Sequence, residues 1–81
     1  MTDAEILAAF TRILRDLLAD DSIDLTMETV RSDVPDWDSF SFVTFIAAVE
    51  MQFGIRFRVA DVESFGTVGD IVARTRAALK K

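Results

Sequence analysis

Apolar positions recur at helical spacing along most of the chain. Ile6, Leu7, Phe10, Ile13, Leu14, Leu17 and Leu18 fall on one stripe, the rhythm of an amphipathic helix. Thr2 and Glu5 have the spacing of a capping box, in which each side chain satisfies an orphan N–H of the first turn. The pattern predicts a helix from about residue 3 to 19, ending near Asp20-Asp21-Ser22, with Arg12 and Arg15 on its other side. A second helix is predicted from Asp38, as N-cap, to about Phe53, with Gly54 as its stop. Phe42, Phe45, Ile46, Val49 and Phe53 point inward in that assignment. Phe40, Ser41, Val43, Thr44, Ala47, Ala48, Glu50 and Met51 are then wholly or partly exposed. A helix apolar on nearly all sides is either fully buried or presents a binding face. The last helix starts at a second capping-box pair, Thr67 and Asp70. It carries Val68, Ile71, Val72, Thr75 and Leu79 along one face, and Lys80 and Lys81 complement the negative end of its dipole.

Two connections separate these helices. Residues 20–38 are a long segment whose apolar residues, Leu25, Met27, Val30, Val34 and Trp37, are irregularly spaced and are expected to pin it to the bundle. Loops of this length without their own secondary structure are uncommon and often functional. Pro35 holds Val34 extended and ends any helix before it. Residues 55–66 begin with an alternating run, Ile55 to Val59. A lone strand has no partner here, so an extended loop burying Ile55, Phe57 and Val59 is expected. One short helical turn follows at Asp61 to Ser64. The whole reads as an all-α fold of three longer helices and one short one, in a single domain spanning residues 1–81.

Composition removes much chemistry. The 81 residues include no Cys and no His, so the chain offers no thiol nucleophile, imidazole base or soft-ligand metal site. Catalysis by this chain is not expected. A disulfide-stapled secreted domain is excluded, and helix packing must supply the stability. No apolar run approaches the ~20 residues of a membrane span. The acidic start Met1-Thr2-Asp3-Ala4-Glu5 lacks the basic and apolar regions of a signal peptide. A soluble cytoplasmic protein, with no membrane insertion, is the expectation.

The formal charge of −5 is unevenly spread. Residues 16–38 hold eight acids against Arg31 alone, whereas residues 39–81 hold four acids and six bases. The acidic third repels nucleic acid and attracts basic protein surfaces; a merely solvated loop is the alternative reading.

Three segments, in order and at compatible spacings, resemble the acyl carrier protein family. They are Asp38-Ser39-Phe40 opening an apolar helix, Glu50-Met51-Gln52-Phe53-Gly54-Ile55 closing it, and Thr67-Val68-Gly69-Asp70 opening the last helix. The family's attachment motif is Asp-Ser-Leu, a weak signal alone; three ordered matches across nearly the whole chain are a strong one. The resemblance implies an acyl-carrier-like four-helix bundle. It also implies that Ser39 receives 4′-phosphopantetheine from coenzyme A through a phosphopantetheinyl transferase. Acyl groups then ride on the arm as thioesters to acyl-transferring or condensing enzymes, in fatty acid, modified-lipid or polyketide-type biosynthesis. The physics of the position agrees: a Ser just after an N-cap stands at the positive end of a helix, where free N–H groups favour a phosphodiester. Asp38, beside it, holds the helix start. Ser41, the nearest rival, lacks the preceding Asp.

The chain also departs from the family. Phe40 replaces the usual Leu, at a position that contacts partners or closes the core edge. The exposed face of the second helix has few of the family's acids. Asp36, Phe40, Val43, Thr44, Ala47, Glu50 and Met51 are the expected partner-binding residues, on a more apolar and specialised surface than a general fatty acid synthase presents. Arg56 and Arg58 are expected to pair with the acidic loop, or else to contact the arm or a partner. Trp37 is expected to pack the loop over the helix start, with direct contact to the arm as the alternative. Two other functions share the features so far: an unmodified helical interaction module, and a carrier of aminoacyl or peptidyl groups. The protein is expected to be a monomer.

Overall fold

The computed structural model describes residues 1–80; Lys81, expected to favour the end of the last helix, lies outside the described residues. The chain forms α1 (Asp3–Leu18), α2 (Ser39–Phe53), the short α3 (Val59–Ser64) and α4 (Val68–Leu79), with no strand among the described residues. The all-α arrangement expected from the sequence, three longer helices and one short one, is the arrangement found. α1 packs against both α2 and α4.

Caps account for where the helices begin. The Glu5 N–H donates to Thr2 Oγ1 at 3.2 Å and the Thr2 N–H to Glu5 Oε1 at 2.8 Å. The Asp70 N–H donates to Thr67 Oγ1 at 3.2 Å, and the Thr67 N–H donates back to Asp70 Oδ2 at 3.0 Å. Each pair satisfies donors that the helix itself leaves orphaned. α2 ends at Gly54, whose φ of 66° is the left-handed value that glycine adopts without a Cβ penalty.

The core is a single apolar cluster. Ile6, Phe10 and Leu14 of α1 are fully buried, as are Phe45 and Val49 of α2 and Val72 of α4. Phe10 sits edge-on to both Phe45 and Phe53, with centroids 5.5 and 5.9 Å away, a geometry favoured by the ring quadrupole. Phe10 thus joins α1 to aromatic rings from α2.

The 20–38 connection is pinned as expected, although by a somewhat different set of residues. Ile23, Leu25, Val34 and Trp37 are buried, while Met27 and Val30 are half-buried. Polar ties do the rest. Arg15 Nε donates to the Ile23 carbonyl at 2.6 Å. The Val68 and Gly69 N–H groups, at the start of α4, donate to the carbonyls of Thr29 and Met27, each at 2.8 Å. A single 3₁₀ turn, Arg31–Asp33, lies inside this loop, and Val34 is extended, as Pro35 requires.

Several expectations need correction. α3 begins at Val59 rather than Asp61, because Asp61 Oδ2 accepts the Arg58 N–H at 3.1 Å and so caps the helix from three residues inside it. Val59 is consequently on the outside, 74% exposed, whereas Ile55 and Phe57 are half-buried. Ser41, assigned to the exposed face, is buried. Arg56 and Arg58 form no ion pair with the acidic loop among the described residues. The ion pairs found are Arg74–Asp61 and Arg76–Asp3, both 3.2 Å, which tie α4 to α3 and to α1.

Candidate functional site

The site lies where the long loop runs into α2. Asp36 has a left-handed φ of 69°, a conformation that Asp tolerates better than most residues, and it turns the chain toward the helix start. Asp38 is the N-cap. The Ser41 N–H donates to Asp38 Oδ1 at 2.9 Å, and the Asp38 N–H donates to Ser41 Oγ at 2.9 Å. This is a capping box with the acid at the cap and the hydroxyl three residues on, the reverse of the common order. The Ser41 hydroxyl in turn donates to the Asp36 carbonyl at 3.0 Å, so it is fully occupied. The hydrogen bonds from the Ser41 backbone and then its side chain hold the Asp38 carboxyl below the usual carboxylate range.

Ser39 stands apart from this network. It is the first residue of α2, it is exposed, and among the described residues its hydroxyl makes no hydrogen bond. The first turn of α2 carries no acidic side chain, and the carboxylate of Asp38 is engaged with Ser41. The Asp38 carboxylate thus takes up N–H groups at the positive end of α2, and what fits Ser39 for attachment is its exposed, unbonded hydroxyl. A free hydroxyl at this position fits a covalently attached phosphopantetheine arm. Ser41, buried and triply bonded, does not.

Ser39 opens onto a cleft of about 680 Å³. The loop contributes Val30, Arg31 and Trp37 to its wall, α2 contributes Phe42, and α3 with the start of α4 contributes Val62, Phe65 and Ile71. Trp37 is only 4% exposed and packs against Phe45 and Phe42, with centroids 5.3 and 5.8 Å away. It secures the loop over the start of α2, as the sequence suggested. The Arg31 guanidinium lies over the Phe42 ring at 5.4 Å, within reach of a cation–π attraction.

The residues expected to meet partners divide into three groups. Phe40, Val43 and Met51 are 82%, 62% and 84% exposed. With exposed Ala47 they line one face of α2 at helical spacing. Thr44 is half-buried, and its hydroxyl donates to the Phe40 carbonyl within the helix at 3.0 Å. Glu50 is also half-buried, and its carboxylate accepts the Phe57 N–H at 2.7 Å. It clips the α2–α3 connection to α2. Asp36 is exposed and stands before the helix.

Sequence reasoning missed the Ser41 cap and the Glu50 clip. Asp38 and Ser41 do have box spacing, so the first was readable. The second joins residues seven apart across a turn, and no local pattern marks it. Among the described residues no cluster of side chains is arranged to hold a metal ion, and no helix is long and apolar enough to cross a membrane.

Comparison with known proteins places this bundle among carriers of a covalently attached arm. The family model described as a phosphopantetheine attachment site matches residues 4–75. An acyl carrier protein from Acidothermus cellulolyticus is 32% identical over 72 residues, covering 89% of this chain and 86% of that protein. The meromycolate extension acyl carrier protein of Mycobacterium tuberculosis is 30% identical over 73 residues. That match covers 90% of this chain but only 64% of the longer relative. The solution structure of holo acyl carrier protein from Geobacter metallireducens superposes with a TM-score of 0.86 at 35% identity, covering 93% of this chain and 86% of that one. The chain belongs to the acyl carrier protein family. Its prosthetic group is 4′-phosphopantetheine, and its family works with transferases and acyl-handling enzymes.

Proposed function

We propose that Ser39 is the attachment point and that the chain, as one carrier domain, is a monomeric cytoplasmic shuttle without catalytic activity of its own. The observation that carries this reading is the exposed, unbonded Ser39 hydroxyl at the first position of α2, beside a cap whose other hydroxyl is occupied. In the loading reaction Ser39 Oγ attacks the β-phosphorus of coenzyme A. The new O–P bond forms as the bridging pyrophosphate bond breaks, 3′,5′-ADP departs, and the hydroxyl proton passes to a base of the phosphopantetheinyl transferase. The arm supplies a thiol for thioesters, which a chain without cysteine lacks. Asp38 contributes by fixing the helix start, and with it the direction in which Ser39 projects.

Docking follows from the exposed face of α2. Phe40, Val43, Ala47 and Met51 form an apolar stripe, with Asp36 before it and Thr44 and Glu50 beside it. Weak, rapidly reversible docking suits a shuttle that must leave each partner. Because the stripe carries little charge, the partners it fits present an apolar patch rather than a purely basic one. That favours acyl-transferring or condensing enzymes of a specialised lipid or polyketide-type pathway over a general fatty acid synthase. An acyl-chain extension carrier among the relatives is consistent with such a role.

Intact-mass measurement after incubation with coenzyme A and a broad-specificity phosphopantetheinyl transferase tests the assignment. Wild type and Ser41→Ala should each gain one phosphopantetheine, and Ser39→Ala none. Modification of Ser39→Ala would transfer the assignment to another hydroxyl. No gain by folded wild type would leave the interaction-module reading in its place.

A further inference from the structure

Among the described residues, one buried side-chain polar atom has no hydrogen-bond partner, the Nε1 of Trp37. Aromatic packing alone does not call for it. A phenylalanine would pack on Phe42 and Phe45 with less contact but bury no donor, and a buried donor without an acceptor is a standing cost. Trp37 lies two residues before Ser39, and both form part of the wall of the same cleft. The rest of the wall mixes the apolar Phe42, Val62, Phe65 and Ile71 with polar residues such as Arg31, Ser32, Glu63 and Thr67.

We propose that Trp37 is an internal anchor for the prosthetic arm: in the holo protein the arm lies in this cleft, and the Trp37 Nε1–H donates to one of its oxygens. The proposal rests on Ser39 as the attachment point. The tether selects the arm over the cargo as occupant. Starting two residues away, the arm presents its proximal oxygens to the indole first, namely those of the phosphodiester, the pantoyl hydroxyl and the adjoining amide carbonyl. These are the same whatever acyl group is carried, so the contact is independent of cargo.

The chain has a single tryptophan, so its indole N–H gives one resolved proton–nitrogen resonance. The spectrum should be recorded for apo, holo with free thiol, and acylated protein, with intact mass confirming each state. The expected result is a downfield shift and slowed solvent exchange of the indole proton on going from apo to holo, nearly unchanged by acylation. Trp37→Phe, which keeps an aromatic ring at the site, should still take up the arm by mass. Its pantoyl methyl resonances should sharpen toward those of a free arm. A holo indole signal identical to the apo one would overturn the proposal, as would a shift that appears only after acylation, which assigns the indole to the cargo. Absence of the mass gain would instead defeat the Ser39 assignment, so the two failures are distinguishable.

Discussion

Replacing Gly69 with alanine tests how the long loop is held. The backbone of α4 approaches the loop so closely at this point that an added Cβ would stand 2.7 Å from the Met27 carbonyl oxygen. The same carbonyl accepts the Gly69 N–H at 2.8 Å, and the Thr29 carbonyl accepts the Val68 N–H at 2.8 Å. The obstructing atom is backbone and cannot rotate away, so the loop must lift and both bonds weaken. At a net 0.5–1.5 kcal/mol for each bond, their loss costs about 1–3 kcal/mol. Alanine returns up to about 1 kcal/mol over glycine through helix propensity, and less in a first turn. The net expectation is a loss of roughly 1–2 kcal/mol. For a domain of this size that lowers Tm by roughly 4–16 °C, measured by calorimetry or circular dichroism. Gly54 is the control. Its Cβ would meet nothing within 4 Å, but its φ is 66°, so Gly54→Asn should be tolerated, since Asn accepts that conformation, while Gly69→Asn should not be. A Gly69→Ala protein melting at or above the wild-type temperature would refute the close-approach reasoning.

Three further outcomes are expected. Glu50→Ala removes the acceptor of the half-buried Phe57 N–H and should cost about 1–2 kcal/mol in a denaturant titration, whereas Glu50→Gln, which keeps an acceptor, should cost less. Phe40→Ala and Met51→Ala should leave stability within about 0.5 kcal/mol because both side chains project into solvent. Either change should reduce kcat/KM for acyl transfer with a native partner enzyme by about fivefold or more, if the α2 stripe is the docking surface. On acidification, Glu5, Asp20, Asp38, Asp61 and Asp70 act together: hydrogen bonds hold each folded-state pKa below its ordinary value. Their stabilisation is present above the unfolded pKa values and is lost as pH falls through the lower folded ones. Tm should therefore be nearly flat above about pH 5 and fall progressively below it. Asp38→Asn, which still caps, should make that acid loss smaller.

Helix caps and stripes made most of the architecture legible from the residues alone. Thr2 with Glu5 and Thr67 with Asp70 marked two helix starts that the structure reproduces, and Gly54 marked a stop. These features are local, and local spacing encodes them. α3 was placed too late because Asp61 was read as its start, when its carboxylate actually caps from within. Ser41 was put on the exposed face because helical spacing alone cannot register that its hydroxyl turns back onto Asp36 and Asp38. The cleft was not legible at all, since its wall draws on Val30, Phe42, Phe65 and Ile71, segments joined only by tertiary packing. Ser39 itself was singled out by its place after an N-cap and by ordered motif matches. The structure adds the contrast between its unbonded hydroxyl and the occupied one of Ser41.

The most direct measurement uses protein isolated from its own cells. Trypsin releases residues 32–56 as one peptide, bounded by Arg31 and Arg56, and containing Ser32, Ser39 and Ser41. Fragment-ion spectra should locate a phosphopantetheine on Ser39. Finding the group on Ser32 or Ser41, or only unmodified peptide, would contradict the account.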